Sequence, residues 1–272
     1  MFWTRVATAA VLLPLFISAL FFLPGAWWAA ALLPLVLAGA WEWGALTGLK
    51  GGYRQGYCGA ILATALLFLL PESDAPYLQS LERAAYWVSV LFWVSIVPFW
   101  LFGWRMRNAA FLGLVGWVLL VPTWLALVRL QALPWVLLAI MGVIWVADSA
   151  AYFAGRVWGR HKLAPMISPG KTWEGVAGAV VAVAGYHVLV WNMGFSGKIP
   201  GSAEIAALLV AVLVPMSIIG DLFESSVKRQ AGMKDSGRLF PGHGGVLDRI
   251  DGLTPTLPIA ALTVMWVLQG HG

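Results

Sequence analysis

Apolar runs of helix length follow one another along almost the whole chain, separated by short polar breaks. The runs cover Val6–Leu23, Ala26–Thr47, Tyr57–Leu70, Ala84–Trp104, Ala110–Val128, Ala132–Ala154, Gly175–Asn192, Ala203–Phe223 and Leu253–Gln269. A helix rises about 1.5 Å per residue, so about 20 residues cross the hydrocarbon core of a bilayer. Most of the nine runs reach that length; the third and the ninth are the shortest. The pattern predicts an all-α integral membrane protein, a polytopic bundle of about nine transmembrane helices. Trp27 and Trp28, and Trp41 and Trp43, stand near the two ends of the second run, where an aromatic belt belongs. The first run is expected to be a retained helix rather than a signal peptide. Arg5 alone is a thin basic lead, and no small-residue cleavage site precedes polar sequence.

Composition strengthens this reading. The 272 residues are 61% hydrophobic and only 11% charged, with a mean hydropathy of +0.83. A soluble domain carries about 25% charged residues, so this chain cannot cover itself with a polar surface. Cys58 is the single cysteine and excludes an intramolecular disulfide. The net charge of +5 is not a nucleic-acid footprint, because the basic residues sort to one side of the bilayer. With the N-terminus in the cytosol and the runs alternating, the inside segments hold Arg5, Lys50, Arg54, Arg105, Arg107, Arg156, Arg160, Lys162, Lys171, Lys228, Arg229, Lys234, Arg238 and Arg249. Only Arg83, Arg129 and Lys198 fall outside, and the outer loop after the third run carries Glu72, Asp74 and Glu82. This positive-inside split predicts a cytosolic N-terminus and an outside C-terminus.

Acidic residues in or beside the apolar runs are costly and usually functional. Glu42, Asp148, Asp221 and Glu224 all fall toward the cytosolic ends of their runs. For Glu42, a snorkelled or arginine-paired end residue is as good a reading as a functional one. Asp148 and Asp221 point toward the face that holds the polar loops.

Those loops span residues 155–174 and 224–252. In the first, Gly170-Lys171-Thr172 suggests a nucleotide-binding P-loop, but Pro165 stands where that motif needs its first glycine. What remains is a rigid Pro/Gly turn that aims Lys171 at phosphate. In the second, Asp221, Glu224, Ser225 and Lys228 recur at helical spacing on one face, and Asp248 and Asp251 share another. Two carboxylate groups joined by a glycine-rich connector can hold a hard divalent cation, and magnesium prefers one or two carboxylates with phosphate oxygens and water. A structural network of Arg–Asp pairs is the alternative. His243, flanked by glycine, reads better as a phosphate contact than as a metal ligand.

The segment Ser225 to Asp251 carries S-x-apolar-K-R, four residues, K-D, and then P-x-H-G-G-apolar-x-D-R-apolar-D. It resembles, without gap, the signature of the phosphatidate cytidylyltransferase (CDP-diacylglycerol synthase) family. Asp148 to Glu174, with A-Y-F-A-G-R and S-P-G-K-T-W-E, also resembles that family. The likeness is specific in residues 131–272, a catalytic region, whereas residues 1–130, about five spans, share only hydrophobicity. The resemblance implies CMP transfer from CTP to phosphatidic acid at the cytosolic face of the cell membrane. It implies catalytic roles for Asp221, Asp248 and Lys171, and magnesium, one ion or two, on Asp221, Asp248, Glu224 and Asp251. It puts Ser168, Lys228, Arg229, Lys234, Arg238, Gly242, His243, Gly244, Gly245 and Arg249 on substrate phosphates, with Asp148, Glu174 and Asp235 in support. Nucleic acid is not expected as a partner, and a homodimer is left open.

Two rivals remain. The CDP-alcohol phosphotransferase pattern D-x-x-D-G-x-x-A-R starts at Asp248 but meets Pro255 and Thr256 where Ala and Arg belong. An ion-coupled secondary transporter would use Asp148 and Asp221, yet no inverted repeat is visible and the charges gather at one face.

Overall fold

The computed structural model describes residues 2–69, 75–104, 108–195, 200–240 and 244–271. Helices α1 (Phe2–Phe22), α2 (Gly25–Leu46) and α3 (Gly51–Leu67) come first. Then α4 (Pro76–Leu91) runs through a π-helical turn, Phe92–Ile96, into α5 (Val97–Leu101). Helices α6 (Ala109–Leu130) and α7 (Pro134–Trp158) lead to an antiparallel hairpin of β1 (Lys162–Ala164) and β2 (Ser168–Thr172). The chain ends with α8 (Trp173–Val190), α9 (Ala203–Gln230), the short α10 (Leu247–Ile250) and α11 (Leu253–Trp266).

Each apolar run falls on a helix, so the protein is a multi-pass membrane protein, all-α apart from the hairpin. Among the described residues seven helices are long and apolar enough to span a bilayer. Helix α3, with 17 residues opening on Gly51, Gly52, Tyr53 and Arg54, falls just short of that length. Glu82 differs from expectation. It lies on α4 rather than in a loop, is buried, and accepts a hydrogen bond from the Tyr86 hydroxyl at 2.7 Å. Glu72, Asp74, Arg105, Arg107 and Lys198 lie outside the described residues.

Two packing features position the functional end. Helices α2 and α6 are stitched by indole N–H groups, which need acceptors when buried. Trp43 donates to the Leu112 carbonyl (2.7 Å), Trp28 to Leu127 (3.0 Å) and Trp124 to Ala29 (3.3 Å). Helices α7 and α8 approach closely because Gly175 faces the Ala151 carbonyl and Gly178 faces Ala154, where a side chain would collide. Small residues at helix contacts allow such approach in membranes. The hairpin joins these two helices, so its lysine-bearing strand is held over the end of the bundle.

Candidate active site

Helix α9 carries Asp221, Glu224, Ser225 and Lys228, and its register is fixed by Phe223 between them. Phe223 is buried at 1% exposure in an aromatic cage of Trp43, Phe92, Trp93 and Trp100, with ring centroids 5.3–6.5 Å away. Offset and edge-to-face aromatic pairs add to burial energy, and a residue so anchored sets the direction of its helical neighbours. The polar face of α9 therefore points at the loop 231–252.

Lys228 is the centre of that face. Its Nζ donates to Glu224 Oε2 and to Asp248 Oδ1, each at 2.6 Å. The other oxygen of Asp248 faces the Ser236 amide (2.9 Å), the Ser236 hydroxyl (2.9 Å) and the Gly245 amide (2.8 Å). Burial works against the charge on Asp248, but Lys228 and the Gly245 and Ser236 amides outweigh it and hold the carboxyl below its ordinary range. Gly244, at φ +82°, makes the turn that returns the chain to Phe240, whose amide donates to the Gly244 carbonyl at 2.9 Å.

The hairpin supplies the second cation. Lys171 on β2 sets its Nζ 2.6 Å from Asp221 Oδ2, while the Ser225 hydroxyl donates to Asp221 Oδ1 at 3.2 Å. Thr172 caps α8 by accepting from the Gly175 amide (3.2 Å). Glu174, in the first turn of α8, pins the hairpin by accepting from the His161 amide at 3.2 Å and contacting His161 Nδ1 at 2.6 Å. The expected rigid turn is thus a strand pair, with Ser168 opposite Ala164 and Lys162 opposite Thr172.

Among the described residues no three His, Cys, Asp or Glu side chains stand together as a metal cage. Asp248 is held by Lys228 through Oδ1 and by three loop donors through Oδ2. The Gly245 amide, expected on phosphate, is used by Asp248. Arg229 closes the end of α9 on the Met233 carbonyl (3.2 Å). Lys234, Asp235, Arg238 and Arg249 are exposed on the same loop and α10, and Gly242 and His243 lie outside the described residues.

The remaining carboxylates still suit a cation. Glu224 Oε1 is buried without a hydrogen-bond partner. Asp251, whose charge acts on Glu224, is raised above its ordinary range by burial first and then by the charges of Asp221 and Asp148. Asp148 is exposed and interacts electrostatically with Lys171, Asp221 and Arg249. Acidic groups gathered beside an orphaned carboxylate oxygen are relieved by a bound positive charge.

One residue of the site was missed as such. Glu42, on α2, accepts hydrogen bonds from the Val246 amide, the Leu247 amide and the Ser236 hydroxyl, each at 3.0 Å. Its acidity inside an apolar run was the available signal; its partners, some two hundred positions away, carried none. It is neither snorkelled nor paired with Arg54, which lies over the Trp41 ring 3.8 Å from its centroid.

A bundle of apolar helices that gathers two ammonium groups and six carboxylates at one end defines a membrane-embedded site suited to polyanions. The model of the cytidylyltransferase family matches residues 3–267. Phosphatidate cytidylyltransferase of Pseudomonas aeruginosa is 40% identical over 270 residues, covering 96% of this chain and 96% of that protein. The Haemophilus influenzae protein of the same name is 31% identical over 291 residues, covering 97% and 99%. That of Brucella suis biovar 1 is 52% identical over 115 residues, 42% of this chain and 41% of its own length. The chain belongs to the cytidylyltransferase family. The transporter alternative finds no support in these matches.

Proposed function

We propose that the protein transfers CMP from CTP to phosphatidic acid, giving CDP-diacylglycerol and pyrophosphate for phospholipid synthesis. One observation carries the reading: Lys171 and Lys228 are each held on carboxylates at 2.6 Å, at one end of a membrane bundle. Both reactants are anions, and their approach needs cations that neutralise it and stabilise charge on the leaving group.

A phosphatidate oxygen attacks the α-phosphorus of CTP. The new P–O bond forms as the α–β bridging bond breaks, and its electron pair leaves with pyrophosphate. The attacking monoester has a second pKa of about 6 and is largely dianionic at neutral pH, so no side chain has to remove a proton. Lys171 exchanges its carboxylate for substrate phosphate, and Lys228 meets phosphate while Glu224 and Asp248 hold it. Arg229, Lys234, Arg238 and Arg249 extend the basic wall, Ser168 and the 242–245 backbone approach the phosphates with His243, and Asp148, Glu174 and Asp235 orient the cations. Asp221 and Asp248, with Glu224 and Asp251 beside them, would hold magnesium, as one ion or two, with one or two carboxylates to each ion and phosphate oxygens and water completing it. Bound there, it would neutralise phosphate charge and polarise the phosphorus centre. Asp248 would reach that ion through Oδ1, which Lys228 alone engages.

Positive-inside asymmetry supports a cytosolic site in the inner membrane, with phosphatidate entering sideways from the inner leaflet. The test is a micelle assay with phosphatidic acid, magnesium and each of the four ribonucleoside triphosphates. CDP-diacylglycerol formed with CTP alone, and abolished by chelator, is the expected result. No lipid-linked nucleotide from folded protein would overturn the reading.

A further inference from the structure

Ser236, Val246 and Leu247 are held from outside their own half of the chain. Helix α10 has four residues and no side-chain cap of its own, although the first amides of a helix need acceptors. Glu42 provides them from α2: Oε1 accepts from the Val246 amide and Oε2 from the Leu247 amide. Ser236 has a single hydroxyl hydrogen and places its oxygen 3.0 Å from Glu42 Oε2 and 2.9 Å from Asp248 Oδ2. That hydroxyl ties the acid of the N-terminal helices to the acid that fixes Lys228.

The backbone around Glu42 is shaped for it. A β-carbon on Gly237 or Gly245 would run into the Glu42 carboxylate, although neither glycine has a positive φ. Glu42 is 7% exposed. A carboxylate buried in an apolar helix is tolerated when its lone pairs are satisfied, and here the loop satisfies them.

We infer that Glu42 is a positioning residue: it clasps Ser236 and the 244–247 turn so that Asp248 holds Lys228 where the CTP phosphates meet it. The inference rests on the cytidylyl-transfer reading above for its kinetic consequence, but the clasp itself can be tested without it. Glu42→Gln replaces one acceptor with an amide that cannot receive a backbone N–H. The expected result is a fall in kcat/KM for CTP of about 10–100-fold, with KM for phosphatidate within about twofold of wild type. Trypsin cleavage after Lys234 or Arg238 should become faster in detergent. Gly237→Ala alters no polar group but presses on the same carboxylate, so it should reproduce both effects. Adding Glu42→Asp to Gly237→Ala makes room for the methyl and should recover part of the loss.

Unchanged kcat/KM for CTP and unchanged trypsin sensitivity in Glu42→Gln would overturn the inference. Equal losses toward both substrates with a lowered Tm would also overturn it, by making the residue merely structural. If wild-type protein shows no CTP-dependent turnover, the catalytic reading fails, and the trypsin rates of Glu42→Gln and Gly237→Ala still decide whether the clasp exists.

Discussion

Lys228 and Lys171 are both ammonium groups held on carboxylates, in different surroundings. Lys228 is anchored on a helix whose register is set by a buried phenylalanine, and it sits between Glu224 and Asp248 with its side chain 11% exposed. Lys171 lies on a five-residue strand and reaches one carboxylate, with side-chain exposures of 22% for the lysine and 34% for Asp221. A buried ion cluster is hard to open, because removing one member strands the others without solvent. A half-exposed pair opens easily, because water and salt replace the partner. The site therefore combines a fixed cornerstone with a movable arm.

The comparison can be broken at several points. Asp221→Asn removes the acid that faces the movable arm. It should reduce turnover by about 10³-fold or more while leaving the Tm in detergent unchanged; near-normal kcat would remove Asp221 from the metal site. Lys228→Met should cost about 3–5 kcal/mol of stability by leaving Glu224 and Asp248 uncompensated, read as a lowered Tm together with lost activity. Lys171→Ala should cost less than about 1 kcal/mol but lower kcat by about 10²-fold. Equal stability losses for the two lysine variants would end the distinction between cornerstone and arm.

Acid sharpens the comparison further. The Asp248 carboxyl is depressed in the folded protein, so its contribution is fully present above the unfolded value of about 3.9. It is lost as pH falls through the lower folded value. Stability should therefore drop below about pH 4, and Asp248→Asn should flatten that drop while lowering stability at neutral pH. The smallest effect is expected at His161, which is 79% exposed beside Glu174. His161→Ala should shift stability by no more than about 0.5 kcal/mol.

The same contrast explains how much could be read from the chain. Helices α2, α4, α6, α7, α8 and α9 follow from apolar runs, because a membrane-spanning helix must be continuous and apolar. The face of Asp221, Glu224, Ser225 and Lys228 follows from helical spacing, and the Ser225–Asp251 signature is contiguous. The hairpin was not legible, since β1 has three residues and Pro169-Gly170 reads locally as a turn. Neither was the closure of Asp248 onto Lys228, 20 positions away, nor the reach of Glu42 to Ser236, 194 positions away. Such contacts are fixed by tertiary packing and leave no local period. Arg229 did carry a signal, because a basic residue in the last turn of a helix often closes on its carbonyls.

The central claim, nucleotidyl transfer rather than phosphoryl transfer or transport, is tested most directly by the position of the label. CTP radiolabelled at the α-phosphorus should pass its label into the lipid phase with phosphatidic acid. CTP labelled at the γ-phosphorus should leave all of it in aqueous pyrophosphate. Lipid labelled from the γ position, or from neither, would contradict the account.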